Sequence, residues 1–350
     1  MIALKQRLVS AVTTHHPPST TQLVAAGLLV CATAIVAAQQ TPVRAVPEAF
    51  VSGAERQVGP IHIVPVRRDH IYLMASADGN STVQVGEDGV LVVDTMTAAL
   101  APRLLEAIRT VTMGPILQII NTNTERTGGN EVIRKAGRAV GAAAGRQGDG
   151  AAILAFDAVQ QRMSADGSSF PQLSWPTDTY FVGSKDMFFN GEPVQAYHQP
   201  SAYSDGDTFV VFRRSDVVVA GDVFTPHQFP RIDIEHGGTL TGVLAGLNKI
   251  IELTVPELNE EGGTMVAPAV GRLCDEADVA DYRDMVTIVH DRIEDMVRRR
   301  LTLEQVKAAQ PTRDYDSLYS TPTYTGEMFV EAAYRSLSKA APQPRRGVTR

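Results

Sequence analysis

An apolar run that ends in a tight polar turn constrains this chain more than any other feature. Residues 116–130 read I-L-Q-I-I-N-T-N-T-E-R-T-G-G-N. Ile116, Leu117, Ile119 and Ile120 make a run of strand length and apolar, β-branched character, as expected of a strand covered on both faces. A short polar turn follows, then the pair Gly128-Gly129, then a helix starting near Asn130. Strand, tight loop and helix in direct succession hold the loop side chains on a rigid strand end, which is where α/β folds place their chemistry. The polar contents of this turn are Asn123, Glu125 and Arg126.

With 350 residues and no internal repeat, the chain has room for one large domain or two modest ones. Its 44% hydrophobic and 20% charged residues are those of an ordinary globular protein, and the net charge of −7 argues against a nucleic-acid partner. Lys5 and Arg7 precede an apolar, small-residue stretch from Leu23 to Ala38, and Gln39-Gln40 follow directly. That pattern is the one of a secretory signal peptide, somewhat short for a membrane span. The expected organisation is a signal peptide over 1–38, a linker over 39–59, a domain over 60–338 and a disordered basic tail over 339–350. The expected location is periplasmic or extracellular, with a membrane contact only if the apolar segment stays uncleaved. Leu28-Leu29-Val30-Cys31 is a poor lipoprotein signal, since the residue before the cysteine is not small. Cleavage after Ala38 would remove Cys31 and leave Cys274 without a disulfide partner. Asp275 and Glu276 disfavour its thiolate, so Cys274 reads as a buried or half-buried structural cysteine.

The remaining periodicities alternate between strand and helix. Ile61 to Val66 and His70 to Ser76 read as edge strands, and Thr82 to Val85 leads through the turn Gly86-Glu87-Asp88-Gly89 to a buried strand at Val90 to Val93. Thr97 to Thr110 is an amphipathic helix with Leu100, Leu104, Ala107 and Ile108 on one face. Residues 167–179 read as a loop and 137–150 as a flexible connection. Further on, Met187 to Tyr197, Thr208 to Phe212, Val217 to Ala220 and Met265 to Pro268 read as strands. Leu240 to Leu253, Asp278 to Arg300, Leu303 to Ala309 and Phe329 to Leu337 read as helices.

Four segments make a resemblance specific: N-T-…-T-G-G-N at 121–130, A-Y-S-D-G-D at 202–207, Gly221-Asp222, and P-A-V-G at 268–271. With G-N-S-T-V-Q-V-G-E-D-G-V-L-V-V-D-T at 79–95, the chain resembles the metallo-β-lactamase superfamily over roughly Ile61 to Leu337. The resemblance implies an α/β fold, a four-layer αββα sandwich. Its cleft would lie at one edge, lined by the loops after Asn121, Ala202, Asp222 and Pro268. It also implies zinc-dependent hydrolysis of esters, thioesters or lactams, with Asp94 supporting the metal loop by hydrogen bonding rather than by ligation.

The chain departs from that pattern where the metal should sit. The family loop reads N-T-H-x-H-x-D-H-x-G-G-N; here Asn123 stands at the first histidine and Glu125-Arg126 replaces the four-residue run, leaving the loop two residues short. Tyr203 and Val270 occupy two further histidine positions, and Phe156, Asp157 and Ala158 replace an H-E-N run. Asp222 is the only family ligand retained. An amide oxygen, a phenol of ordinary pKa near 10 and an alkyl group do not make the set of imidazoles and carboxylates that zinc requires. No metal or other cofactor is therefore expected, and no residue is assigned a catalytic role. The alternative is one zinc or other divalent ion in a remodelled site that recruits His198 and His227 beside Asp222 and Glu125. His62, His70 and His290 read as structural, and Ser204 beside Asp205 lacks a nucleophile elbow.

A buried aspartate without its metal must be protonated, hydrated or paired. Arg126 is the candidate to bring a guanidinium to Asp222; the alternative is that it points into solvent. The aromatics Phe156, Trp175, Tyr203 and Phe224 suggest a more apolar cleft. The expected function is that of an exported, non-catalytic or metal-independent family member binding a small molecule or protein in the old cleft. The alternative is a hydrolase of ester, thioester or lactam bonds built around Asp222.

Overall fold

A computed structural model describes residues 56–67, 70–139, 150–255 and 263–340. The segment expected to be a signal peptide, with Cys31, most of the expected linker, the centre of the connection after Gly137 and the tail beyond Ala340 lie outside the described residues.

The chain builds two sheets. The first has eight strands in chain order: β1 (Arg56–Val58), β2 (Ile61–Arg67), β3 (Ile71–Ser76), β4 (Gly79–Val85), β5 (Val90–Val93), β6 (Ile116–Ile120), β7 (Ala152–Phe156) and β8 (Asp178–Tyr180). It is antiparallel up to β5 and parallel from β5 to β8. The second runs β13-β12-β11-β10-β9, comprising β9 (Ser184–Phe189), β10 (Glu192–Gln199), β11 (Asp207–Phe212), β12 (Val217–Gly221) and β13 (Met265–Pro268). Every residue of β5, β11, β12 and β13 is buried, as only strands covered on both faces are.

Helices supply the outer layers. On the first sheet, α1 (Ala101–Val111) and α2 (Asn130–Ala136) press Leu104, Ile108 and Ile133 against Ile63, Met74, Ile116 and Ile119. Further along the chain, α3 (Asp157–Met163) follows β7 directly and lies against β7 and β8. On the second sheet, α4 (Leu240–Leu253), α5 (Glu276–Arg298) and α8 (Gly326–Ala340) share a core with Phe209, Val218 and Val266, and the short α6 (Leu303–Ala308) and α7 (Asp316–Tyr319) join α5 to α8. The result is the four-layer αββα sandwich. No helix among the described residues is long and apolar enough to cross a membrane.

Several boundaries differ from the sequence reading. Arg56–Val58, placed in the linker, pairs antiparallel with β2 and becomes the sheet edge, so β2 and β3 are interior strands. Helix α1 starts at Ala101 rather than Thr97, with a proline in its first turn where a missing N–H is harmless. The single strand expected over Met187 to Tyr197 is a hairpin: Asn190 and Gly191, at φ 49° and 80°, form the tight turn between β9 and β10. The 167–179 loop contains a 3-10 turn at Gln172–Ser174 and the start of β8. Helix α8 runs to Ala340, through the first residues assigned to the tail. Cys274 is buried, and burial pushes its thiol pKa well up.

Candidate functional site

At the end of β6 the chain turns into the loop that opened the sequence reading, and its frame is held by hydrogen bonds. The Thr122 amide donates to one Asp94 oxygen at 2.8 Å and its hydroxyl to the other at 2.7 Å. Asn121 and Asn130 donate to each other's side-chain oxygens at 3.1 and 2.8 Å. Asn130 also accepts from the Thr95 hydroxyl at 2.8 Å and donates to the Ser174 carbonyl at 2.9 Å. Glycine is needed at 129 because the backbone comes too close for anything larger: a Cβ there would lie 2.2 Å from the Thr95 carbonyl.

Inside that frame, the guanidinium of Arg126 forks onto Asp222. Its Nε donates to Oδ2 at 3.0 Å and its Nη2 to Oδ1, while Nη1 donates to the Asp78 carbonyl at 3.0 Å. Arg126 therefore turns inward, with only 14% of its side chain exposed, and Asp222 is buried. The room comes from Gly79, at φ +151°, where a Cβ would lie 2.9 Å from Nη1. Asn123 completes the cluster: its amide nitrogen donates to Asp222 Oδ2 at 3.0 Å and to Asp207 Oδ1 at 3.3 Å. Its own oxygen accepts from the Glu125 amide at 2.9 Å. Asp207 in turn accepts from the Ser204 amide at 2.8 Å.

The electrostatics follow from grouping three acids with one cation. Burial pushes Asp207 up to about 8, against the Ser204 and Asn123 hydrogen bonds that favour its ionised form. Burial likewise pushes Asp94 up to about 7, against the two bonds from Thr122. Burial opposes the Arg126 charge, but the contact with Asp222 outweighs it and raises the guanidinium pKa further. The bidentate pair is the strong, planar form of ion pairing that suits arginine and not lysine.

Tyr203, 9% exposed, has its phenol pKa raised by burial and by the nearby charges of Glu125, Asp222 and Asp233. Glu125 itself is exposed, and Val270 is half-buried on the fourth loop. That loop is tied to the β3–β4 turn by Asn80, whose side chain donates to the Pro268 and Gly271 carbonyls, both at 2.9 Å. The four segments thus converge, as the cleft requires.

The two histidines proposed as replacement ligands do not join them. His198 stacks on Phe156 with ring centres 3.5 Å apart, and its Nε2 lies 2.8 Å from the Asp205 carbonyl oxygen. His227 is exposed beside Gly271, where burial and the charge of Arg272 lower its pKa. Among the described residues, the one group of three donors close enough to share an ion is His290, Asp291 and Glu294 on α5, none of them in the cleft. A zinc pair does not fit the residues present. Both Asp222 oxygens are taken by Arg126 and Asn123, the Asn123 oxygen is taken by a backbone amide, and Tyr203 keeps its proton. The expected aromatic lining also fails in part. Phe224 is fully buried against Tyr282, and Trp175 packs beside Val159 and Met163 with its indole donating to the Phe170 carbonyl. Sequence reading missed Gly79, Asn80 and Asp207 as contributors. Asp78-Gly79-Asn80 carries a turn signature, but nothing in it says which loop it faces.

No protein-family profile and no curated protein matches the chain. Solved structures do. A double mutant of the sec-alkyl sulfatase PisA1 aligns over 78% of this chain and 49% of its own, at 15% identity and a TM-score of 0.61. The stereoselective inverting sec-alkylsulfatase Pisa1 from Pseudomonas sp. aligns over 79% and 52%, at 13% identity and a TM-score of 0.54. A metallo-beta-lactamase from Pontibacter korlensis aligns over 65% and 94%, at 13% identity and a TM-score of 0.45. The chain spans about half the length of the sulfatases it matches, and at these identities the likeness is one of fold.

Proposed function

Taking a protein of the metallo-β-lactamase fold as the premise, we propose that this chain is a metal-independent member that binds a ligand or partner in the old active-site cleft. The observation that carries the reading is the Arg126 fork on Asp222, which puts a fixed positive charge beside the one retained metal ligand. A zinc ion and a buried guanidinium compete for the same two oxygens, and the loop that brings Arg126 has no imidazole to offer in exchange. The loss is concerted: Asn123, Tyr203 and Val270 lie on three separate segments, and each lacks the donor the metal needs. The N-terminal apolar segment supports action outside the cytoplasm.

Elemental analysis of protein purified without chelators tests this reading, and the expected result is no stoichiometric metal. About one equivalent of tightly bound zinc, iron or manganese would overturn it in favour of a hydrolase with a remodelled site. Such a site would have to lose its metal in Asp222→Ala.

A further inference from the structure

Beside the cleft lies a groove of about 430 Å³ between the 232–235 loop and helix α8, within the size range of small-molecule sites. Ile232 and Ile234 on the loop side and Met328 on the helix side give it apolar walls, and Tyr324 lines it as well. Met328 is 49% exposed, so this apolar surface is open to solvent.

Its charges are unevenly balanced. On the helix side, Glu331 is neutralised by Lys307 at 2.7 Å and by Arg335 at 2.5 Å. On the loop side, Asp233 meets His236, whose Nδ1 lies 2.5 Å from Oδ2 and whose amide donates to Oδ1 at 3.1 Å, and the exposed Glu235 makes no ion pair among the described residues. The loop wall thus carries Asp233 and Glu235, the helix wall pairs Glu331 with Arg335, and apolar side chains lie between. The Tyr324 ring already takes a cation: the Arg231 guanidinium carbon lies 5.2 Å from its centre. Asp233 also belongs to the cleft, since its amide donates to the Tyr203 carbonyl at 2.8 Å and its charge acts on the Tyr203 phenol.

We propose that this groove is a binding site for an organic cation with an apolar body, an alkyl- or arylammonium whose head meets Asp233 and Glu235 and whose body lies along Ile232, Ile234 and Met328. Carboxylates at one wall attract the head, and the apolar stretch gives the body a place to leave water. An anionic ligand of the same shape meets the two loop acids, while the cations at the groove are engaged elsewhere, Arg231 on the Tyr324 ring and Arg335 on Glu331. The inference rests on the metal-free reading of the cleft in one respect: a divalent ion behind Tyr203 would offset the acidity at Asp233.

Calorimetric titration of the full chain with 4-phenylbutylammonium and with 4-phenylbutyrate tests the proposal. The ammonium is expected to bind with a dissociation constant on the order of 1 mM, as suits a ligand this small. The carboxylate is expected to bind roughly tenfold more weakly or not at all. Glu235→Gln should weaken the ammonium roughly three- to fivefold, the size of an exposed charge contribution. Met328→Trp, which fills the groove from an exposed position, should abolish binding. Equal binding of the two probes, no ammonium binding, or binding untouched by both substitutions would overturn the proposal. Stoichiometric metal in the same preparation would instead sink the metal-free reading of the cleft, a result that elemental analysis reports separately.

Discussion

Asp222, directly after β12, and Glu192, at the start of β10 against the turn that precedes β12, are both buried carboxylates, and the chain holds them by different means. Asp222, directly after the strand, is met by a guanidinium. Glu192 is met mainly by neutral donors. Its Oε1 accepts from Gln84 at 2.6 Å and the Ser215 hydroxyl at 2.8 Å, and its Oε2 from the Ser215 and Arg214 amides at 2.9 and 3.1 Å. His70 stands near, its Nε2 3.6 Å from the carboxylate and 2.8 Å from the Ser215 hydroxyl. Burial opposes the Glu192 charge, yet these bonds hold its pKa below the usual value. An isolated buried carboxylate is thus held in its ionised form by His70 together with the Ser215 and Gln84 donors. Asp222 has Asp94 and Asp207 as neighbours, and each negative charge there disfavours the others. A cluster of buried acids needs a cation, and Arg126 is that cation.

The sharpest way to break this contrast is to remove the cation. Arg126→Met should destabilise the fold by about 3–5 kcal/mol in urea denaturation, because it leaves a buried charge unpaired. Adding Asp222→Leu should recover most of the loss. A single-variant loss no larger than that of a surface substitution would mean the pair carries no weight. Next in size is Gly79→Ala, expected to cost about 1–3 kcal/mol, since alanine is strained at that φ and its Cβ presses on Arg126. In the Arg126→Met background the steric part of that cost should shrink. At the other end of β12, Ser215→Ala removes one of several donors and should cost about 1–2 kcal/mol. A loss there matching that of Arg126→Met would erase the distinction between the two sites.

The last contrast is read against pH, as a stability profile with two limbs. Asp94 and Asp207 have folded pKa values raised to about 7 and about 8, so their contribution is fully present below about 3.8 and is lost as pH rises toward 8. Glu192 has a lowered folded pKa, so its contribution is present above about 4.5 and is lost as pH falls through the folded value. Denaturation midpoints measured from about pH 2.5 to 9 should fall at both ends, on the acid side through Glu192 and toward pH 8 through Asp94 and Asp207. Asp207→Asn should flatten the alkaline limb, while Glu192→Gln should flatten only the acid one. An unchanged alkaline slope in Asp207→Asn would remove Asp207 from the account.

Much of this was legible in the chain itself. The strand, loop and helix at 116–130 form as read, and Leu240–Leu253 and Met265–Pro268 match their elements residue for residue. Long periodic runs between clear stop signals leave the backbone few alternatives. Boundaries failed where two local signals competed. Asn190-Gly191 carries a hairpin signature, yet the residues around it read as one continuous strand.

Side-chain destinations were another matter. His198 and His227 each lie five positions from a cleft residue in the sequence, and neither reaches the Asp222 cluster. A strand sends alternate side chains to opposite faces, and neighbouring packing decides which partner each one finds.

By itself the sequence determined the architecture and which side chains stand at the family's ligand positions. Hydrophobic periodicity specifies the elements, and a missing donor atom cannot be restored by folding. Only the tertiary structure decided what Asp222 meets. Arg126 and Asp222 are 96 positions apart, and an arginine side chain has enough rotamers to reach solvent as easily as a carboxylate. The choice was made by a third segment, where Gly79 leaves a space the size of one guanidinium nitrogen and the Asp78 carbonyl receives its hydrogen.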